Sequence, residues 1–163
     1  MRRLSIGLCA TLALVLSAAC GDVDPAPNAA VVDTAPLELD PSDDALDDLT
    51  ITVEYTDGDG DLGEGTVDVH DCRAAGLVVS APLPPIANMD AVEDGVMIEG
   101  VLEVVVSDVG DVELDTVAPA ACDELGIGAP VAGEAVFCVV LTDVAGNSGT
   151  GDCTPAVAIL SAE

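Results

Sequence analysis

The chain has no Lys and no Trp, and among its 163 residues there is one Phe, one Tyr and one His. Three Arg are its whole stock of fixed positive charge, against 31 Asp and Glu, for a formal charge of −28. Each shortage removes a class of function. Nucleic-acid binding runs on phosphate neutralisation by Lys and Arg, and the balance here argues against it. Adsorption of the folded body to an anionic bilayer fails on the same ground. Carbohydrate enzymes and binders present aromatic platforms, which one Tyr and one Phe do not supply. A nucleophilic triad or a His-based metal site needs more than His70 alone, and no Gly-x-Ser-x-Gly is present, so His70 reads as an exposed strand residue. No Gly-rich loop leads into a helix, so nucleotide chemistry is not indicated. Disorder throughout is excluded by what the chain does have: half of it (50%) is apolar, rich in Val, Leu and Ile.

The one long apolar run is N-terminal. Arg2 and Arg3 precede an almost unbroken stretch from Leu4 to Leu16, followed by Ser17, Ala18, Ala19 and Cys20. This is the layout of a secretory signal peptide, too short to span a bilayer comfortably. Leu16-Ser17-Ala18-Ala19-Cys20 resembles the lipobox of bacterial lipoproteins, with Ser17 where that family prefers Leu. The resemblance implies cleavage before Cys20 and acylation of Cys20, so that residues 1–19 are a lipoprotein signal peptide. Acyl chains at about 0.8 kcal/mol per buried CH₂ make a firm anchor. Gly21 follows Cys20, and by resemblance to enterobacterial sorting a non-acidic residue there permits export to the outer membrane. The expected address is the cell envelope, lipid-anchored, at the outer membrane or cell surface. Residues 20–29, with the acidic, Pro-containing Gly21 to Asn28, read as a flexible linker.

After cleavage Arg73 is the only fixed cation left against all 31 carboxylates. Few internal salt bridges can form, so repulsion has to be offset by salt, bound cations or spacing. Cys72, Cys122, Cys138 and Cys153 make an even set in an exported chain, which predicts two structural disulfides. Four cysteines allow three pairings, and spacing does not choose among them. No Cys-x-x-Cys spacing supports a metal instead.

Residues 30–163 read as one domain of short strands. Leu49, Ile51, Val53 and Tyr55 alternate with Thr50, Thr52 and Glu54, the period of a half-buried strand. The same period recurs in Thr66 to His70, with Val67 and Val69 inward, in Val96 to Val106, and in Ala135 to Leu141, with Phe137, Val139 and Leu141 inward. Shorter β segments are expected at Leu77 to Ser80, Val112 to Asp115 and Ala156 to Leu160, with a broken edge strand from Ala30 to Leu39 around Pro36. Ala81 to Pro85 reads as a rigid loop, and single helical turns are the most that Asp43 to Leu49 or Ala120 to Leu125 would form. Phe137-Cys138-Val139-Val140-Leu141-Thr142-Asp143-Val144-Ala145-Gly146-Asn147-Ser148 resembles the penultimate strand and following turn of bacterial immunoglobulin-like modules, with Phe137 where that family often has Tyr. Pattern and resemblance together predict an all-β chain: an antiparallel immunoglobulin-like β-sandwich of about seven strands.

Asp57-Gly58-Asp59-Gly60-Asp61-Leu62-Gly63-Glu64, directly after the clearest strand, is the candidate site. Carboxylates at every second position, separated by glycines, let a backbone fold round a hard cation, and calcium takes six to eight oxygens. The start resembles an EF-hand loop, with Asp68 at the place of its twelfth ligand. Leu62 replaces that loop's glycine, and no flanking helices are expected. Asp57, Asp59 and Asp61 are the expected Ca²⁺ ligands, with Glu64 and Asp68 behind them; the competing reading is a solvated hairpin. Asp108, Asp111 and Asp115 form a looser acidic group that reads as solvated surface. The function expected from all this is non-catalytic: binding or structure at the envelope, with the lipid in the membrane, an unidentified envelope or extracellular partner, and calcium as the stabilising ion if the loop holds one. A small metal-dependent enzyme and a passive salt-adapted spacer are the alternatives.

Overall fold

A computed structural model describes residues 24–40, 48–73, 78–83, 96–107, 109, 120–128 and 131–160. The expectations for Cys20, for Val112 to Asp115 and for the Asp108, Asp111 and Asp115 group lie outside these residues. The described chain is all-β: ten strands and one helix of a single turn. The strands are β1 (Asn28–Ala35), β2 (Glu38–Leu39), β3 (Leu49–Asp57), β4 (Thr66–Asp71), β5 (Val78–Pro82), β6 (Ile98–Val106), β7 (Glu134–Ala135), β8 (Phe137–Thr142), β9 (Asp152–Cys153) and β10 (Val157–Ile159). Helix α1 spans Ala120–Glu124.

Two antiparallel sheets carry most of the fold, ordered β1-β3-β6 and β5-β4-β8-β9. A small third sheet, β2-β10-β7, pairs β10 parallel to β2 and antiparallel to β7. The alternation visible in the sequence sets the registers. Leu49, Ile51, Val53 and Tyr55 on β3, Val67 and Val69 on β4, Leu102 and Val106 on β6, and Phe137, Val139 and Leu141 on β8 all point into one apolar core. Slipping any of these strands by one residue would turn its apolar row to solvent. Each fully buried Val, Leu, Ile or Phe contributes roughly 1.5–3 kcal/mol, so the register is strongly specified.

Three details differ from the pattern reading. The segment Ala135 to Leu141 is divided at Val136, so that β7 pairs with β10 while β8 pairs with β4. Ala81 and Pro82 are not loop but the end of β5, where Pro82 pairs with Thr66. Proline is tolerated there because β5 is an edge strand in this sheet. The two-residue β9 is set by its pairing with β8 and has no periodicity of its own to reveal it.

Both disulfides form, Cys72 to Cys122 and Cys138 to Cys153. Cys138 faces away from Phe137 and Val139, so the bridges sit in a second apolar cluster with Leu125, Ile127 and Val136. The bridges touch: Sγ of Cys72 lies 3.4 Å from Sγ of Cys138. Non-reducing peptide mapping should recover these two pairs. The bridges close loops of 50 and 15 residues. Chain entropy then predicts that removing Cys72–Cys122 costs about 4 kcal/mol and removing Cys138–Cys153 about 3 kcal/mol, an order that urea unfolding of the two double-serine variants checks.

Candidate metal centre

Strand alternation does not stop where the apolar residues stop. On β3 the inward row Leu49, Ile51, Val53, Tyr55 continues for one more step to Asp57, which is 0% exposed. Just past the end of β8, the inward row Phe137, Val139, Leu141 likewise continues to Asp143, 4% exposed. Two rows belonging to opposite sheets therefore each end in a buried carboxylate. The loop after β3 brings Asp59 and Asp61 to the same place. One carboxylate oxygen from each of Asp57, Asp59, Asp61 and Asp143 lies within 4.8 Å of all the others.

Glycines permit the approach. Gly60 has φ +79°, a turn conformation that L side chains rarely adopt. At Gly65, after a 3₁₀ turn at Leu62–Glu64, a Cβ would stand 2.0 Å from the carbonyl oxygen of Thr142 and 3.1 Å from Cα of Asp143. The backbone of this loop thus lies directly against the end of β8. Leu62, fully buried, anchors the turn in the core. A single backbone contact, Val144 N to Asp61 O at 3.5 Å, joins the loop to the turn after β8.

The hydrogen bonds leave the cluster short of donors. Asp57 Oδ2 accepts from the Leu62 amide at 2.9 Å. Asp143 accepts from both nitrogens of Asn147, at 2.8 Å each, and so closes the turn after β8. Oδ1 of Asp57, of Asp59 and of Asp61 are buried and have no partner. Buried carboxylate oxygens without donors are costly, and like charges at this spacing repel by about 3–4 kcal/mol per pair at an effective dielectric of 20. Asp57 is held above the usual carboxylate range, chiefly by burial, with the Asp59 and Asp143 charges adding to it and the Leu62 amide opposing. Burial, then the charges of Asp143, Asp59 and Asp57, push Asp61 from 3.8 to about 6. Tyr55 is raised as well, by burial and by the Asp57 charge.

Of the expected ligands, Asp57, Asp59 and Asp61 converge, while Glu64 and Asp68 stay outside the cluster. Glu64 is exposed in the 3₁₀ turn, and Asp68 sits mid-strand between Val140 and Ser80, committed to the β4 ladder. Asp143 takes their place. His70 is half-buried on β4, paired with Cys138 and Val78, and takes no part. The other group with ligand spacing, Cys72, Cys122 and Cys138, offers no thiolate because all three are in bridges. Chemically, the carboxylate cluster has the donor set of a hard-cation site: oxygen only, with three oxygens unused. Comparison with protein-family models, with curated proteins and with solved structures finds no match.

Two outcomes follow from this geometry. Gly65→Ala should destabilise the fold by about 1–3 kcal/mol in urea unfolding, because the Thr142 carbonyl is backbone and cannot swing aside. Cation-free protein should show an inverted acid response. Asp57 and Asp61 bind protons more tightly folded than unfolded; the stability that Asp61 contributes is complete below about pH 4 and lost as pH rises through about 6, and Asp57 acts in the same direction. Thermal melts in chelator at constant ionic strength should fall across that window, and Asp61→Asn should flatten the fall.

Proposed function

We propose that the chain is a lipid-anchored envelope protein whose immunoglobulin-like β-sandwich works by binding or as structure, and not as an enzyme. The observation that carries this reading is the pair of buried disulfides, which use all four cysteines after Cys20. Such bridges belong to an exported chain. They also leave Cys20, at the end of a lipobox-like leader, as the cysteine assigned to acylation.

The strand order supports the sandwich. Immunoglobulin-like domains place their first, second and fifth strands in one sheet and the third, sixth and seventh in the other. With the short β2 and β7 set aside, β1, β3 and β6 correspond to the first group. The second group matches β4, β8 and β9; β5, the fourth strand in this count, joins that sheet beside β4, whereas constant-type domains place their fourth strand in the first sheet, and β10 follows. The bridges depart from the antibody pattern, since neither links β3 to β8.

The linker reaches the domain at the carboxylate end. Pro27 is fully buried, and its carbonyl oxygen stands 1.3 Å from where a Cβ on Gly149 would be. The Ala29 amide then donates to the Thr150 carbonyl at 3.2 Å, and Asn28 pairs with Thr56. On this reading the membrane faces that end of the sandwich, and the opposite end and the sheet faces are presented outward. Labelling of expressing cells with a clickable palmitate should mark the wild-type protein and leave Cys20→Ser unmarked. An unlabelled wild type would remove the anchor from the reading.

A further inference from the structure

We propose that Asp57, Asp59, Asp61 and Asp143 form a calcium site that fastens the loop after β3 to the turn after β8. The cluster itself is acidic residues in a very acidic chain, and proximity alone would carry nothing. The deciding observation is Asp57: fully buried at the foot of the core, with its carboxylate in the cluster and Oδ1 bonded to no donor. Oδ1 of Asp59 and Oδ1 of Asp61 are buried and unpaired beside it. A fold that brings three carboxylates, each with an unpaired buried oxygen, within ligand distance of one another has supplied acceptors for a cation rather than for N–H groups.

Among the described residues no basic side chain answers that charge. Arg73 is the only Lys or Arg after residue 3, and it is bonded to Asp71 at 2.6 Å. Asp71 pairs with Phe137, the first residue of β8, whereas Asp143 follows the last. Six strand residues put the guanidinium end about 20 Å from the cluster. The counter-ion therefore comes from solution.

The donor set selects among ions. All ligands are oxygens, which favours hard cations over zinc or copper. Two ligands come from one Gly-containing loop and one from each of two strand ends, with no imposed octahedron. Such a site suits calcium, which accepts six to eight oxygens in flexible geometry, and not magnesium, which keeps its waters. Four carboxylates leave two or more positions for water or backbone carbonyls. The ion would join segments held together otherwise by the Val144 to Asp61 contact and the bare backbone packing at Gly65. None of this rests on the lipid anchor, so an unlabelled protein in the palmitate experiment leaves the site standing.

The chain carries its own reporter. Tyr55, its one tyrosine, lies on the same inward row two residues before Asp57. Terbium, a calcium surrogate, should therefore luminesce when Tyr55 is excited in the full exported, oxidised chain in detergent. The expected signal saturates, is displaced by calcium, and is not displaced by equal magnesium or by NaCl at matched ionic strength. Asp143→Asn should weaken calcium competition by about tenfold or more, while Glu64→Gln and Asp68→Asn leave it unchanged. Calcium should raise the melting temperature of wild type and far less that of Asp143→Asn. Should Asp143→Asn melt too low to titrate, Asp59→Asn, on the half-buried loop, makes the same comparison. A signal that follows ionic strength alone, or one abolished by Asp68→Asn and untouched by Asp143→Asn, overturns the assignment.

Discussion

Everything at one end of this fold depends on a single electrostatic constraint: two apolar strand rows, from opposite sheets, each run out into a buried aspartate. Asp57 is inward because Leu49 to Tyr55 are inward and strand parity leaves it no other direction; Asp143, one residue past β8, keeps the parity of Phe137 to Leu141 and is held there by the turn to Asn147. The core thereby fixes the carboxylates more firmly than loop geometry alone would. Asp59 and Asp61 then fold back onto a pair already in place. Because the hydrophobic energy of the rows is large, the like-charge cost at their ends is tolerated, and the shifted acidities of Asp57 and Asp61 record that cost.

The two ends of β8 resolve their charge in opposite ways. At its start, Asp71 is held by the Arg73 guanidinium through Nε and Nη2, and the guanidinium carbon lies 5.9 Å from the Phe137 ring centroid. The one Lys or Arg after residue 3 and the one phenylalanine are spent together there, beside Cys72 and Cys138. At its finish, four carboxylates meet among the described residues without a basic side chain. A buried ion pair adds little net stability by itself, but removing one partner strands the other, so Asp71 and Arg73 act as a matched pair. The acidic end lacks such a partner and is built to take one from outside.

The parts of the fold that were legible are those written in local periodicity. The rows of β3, β4, β6 and β8 follow from alternation, and the break at Pro36 between β1 and β2 follows from the missing amide of proline. What escaped is non-local. The pairing of four cysteines is decided by which strands adjoin, and β9 exists because Cys138 and Val139 offer it a ladder. Asp57, Asp59 and Asp61 were visible as a loop, but the EF-hand spacing pointed to Asp68, whose strand already had both neighbours. Asp143 carries a signal of its own in the sequence. Its place two residues beyond Leu141 extends an inward row, just as Asp57 extends the row ending at Tyr55, and the turn motif that drew notice hides that parity.

Fastening is divided between the two ends as charge is. With one Phe, one Tyr and no Trp, the core is made of small aliphatic side chains, each burying less area than an aromatic would. Such a core gains from cross-links, and both disulfides lie toward the start of β8, touching each other through Cys72 and Cys138. No bridge among the described residues reaches the other end, where Pro27 and the start of β1 dock on Gly149 and Thr150 and where loop and turn meet through backbone alone. A bound divalent ion there would complete what the bridges do at the far end. It acts on the folded state by adding attraction between preformed ligands, whereas a disulfide acts mainly on the unfolded chain. Its stabilisation therefore scales with cation concentration, which makes the linker end of the domain responsive to the medium while the bridged end is not.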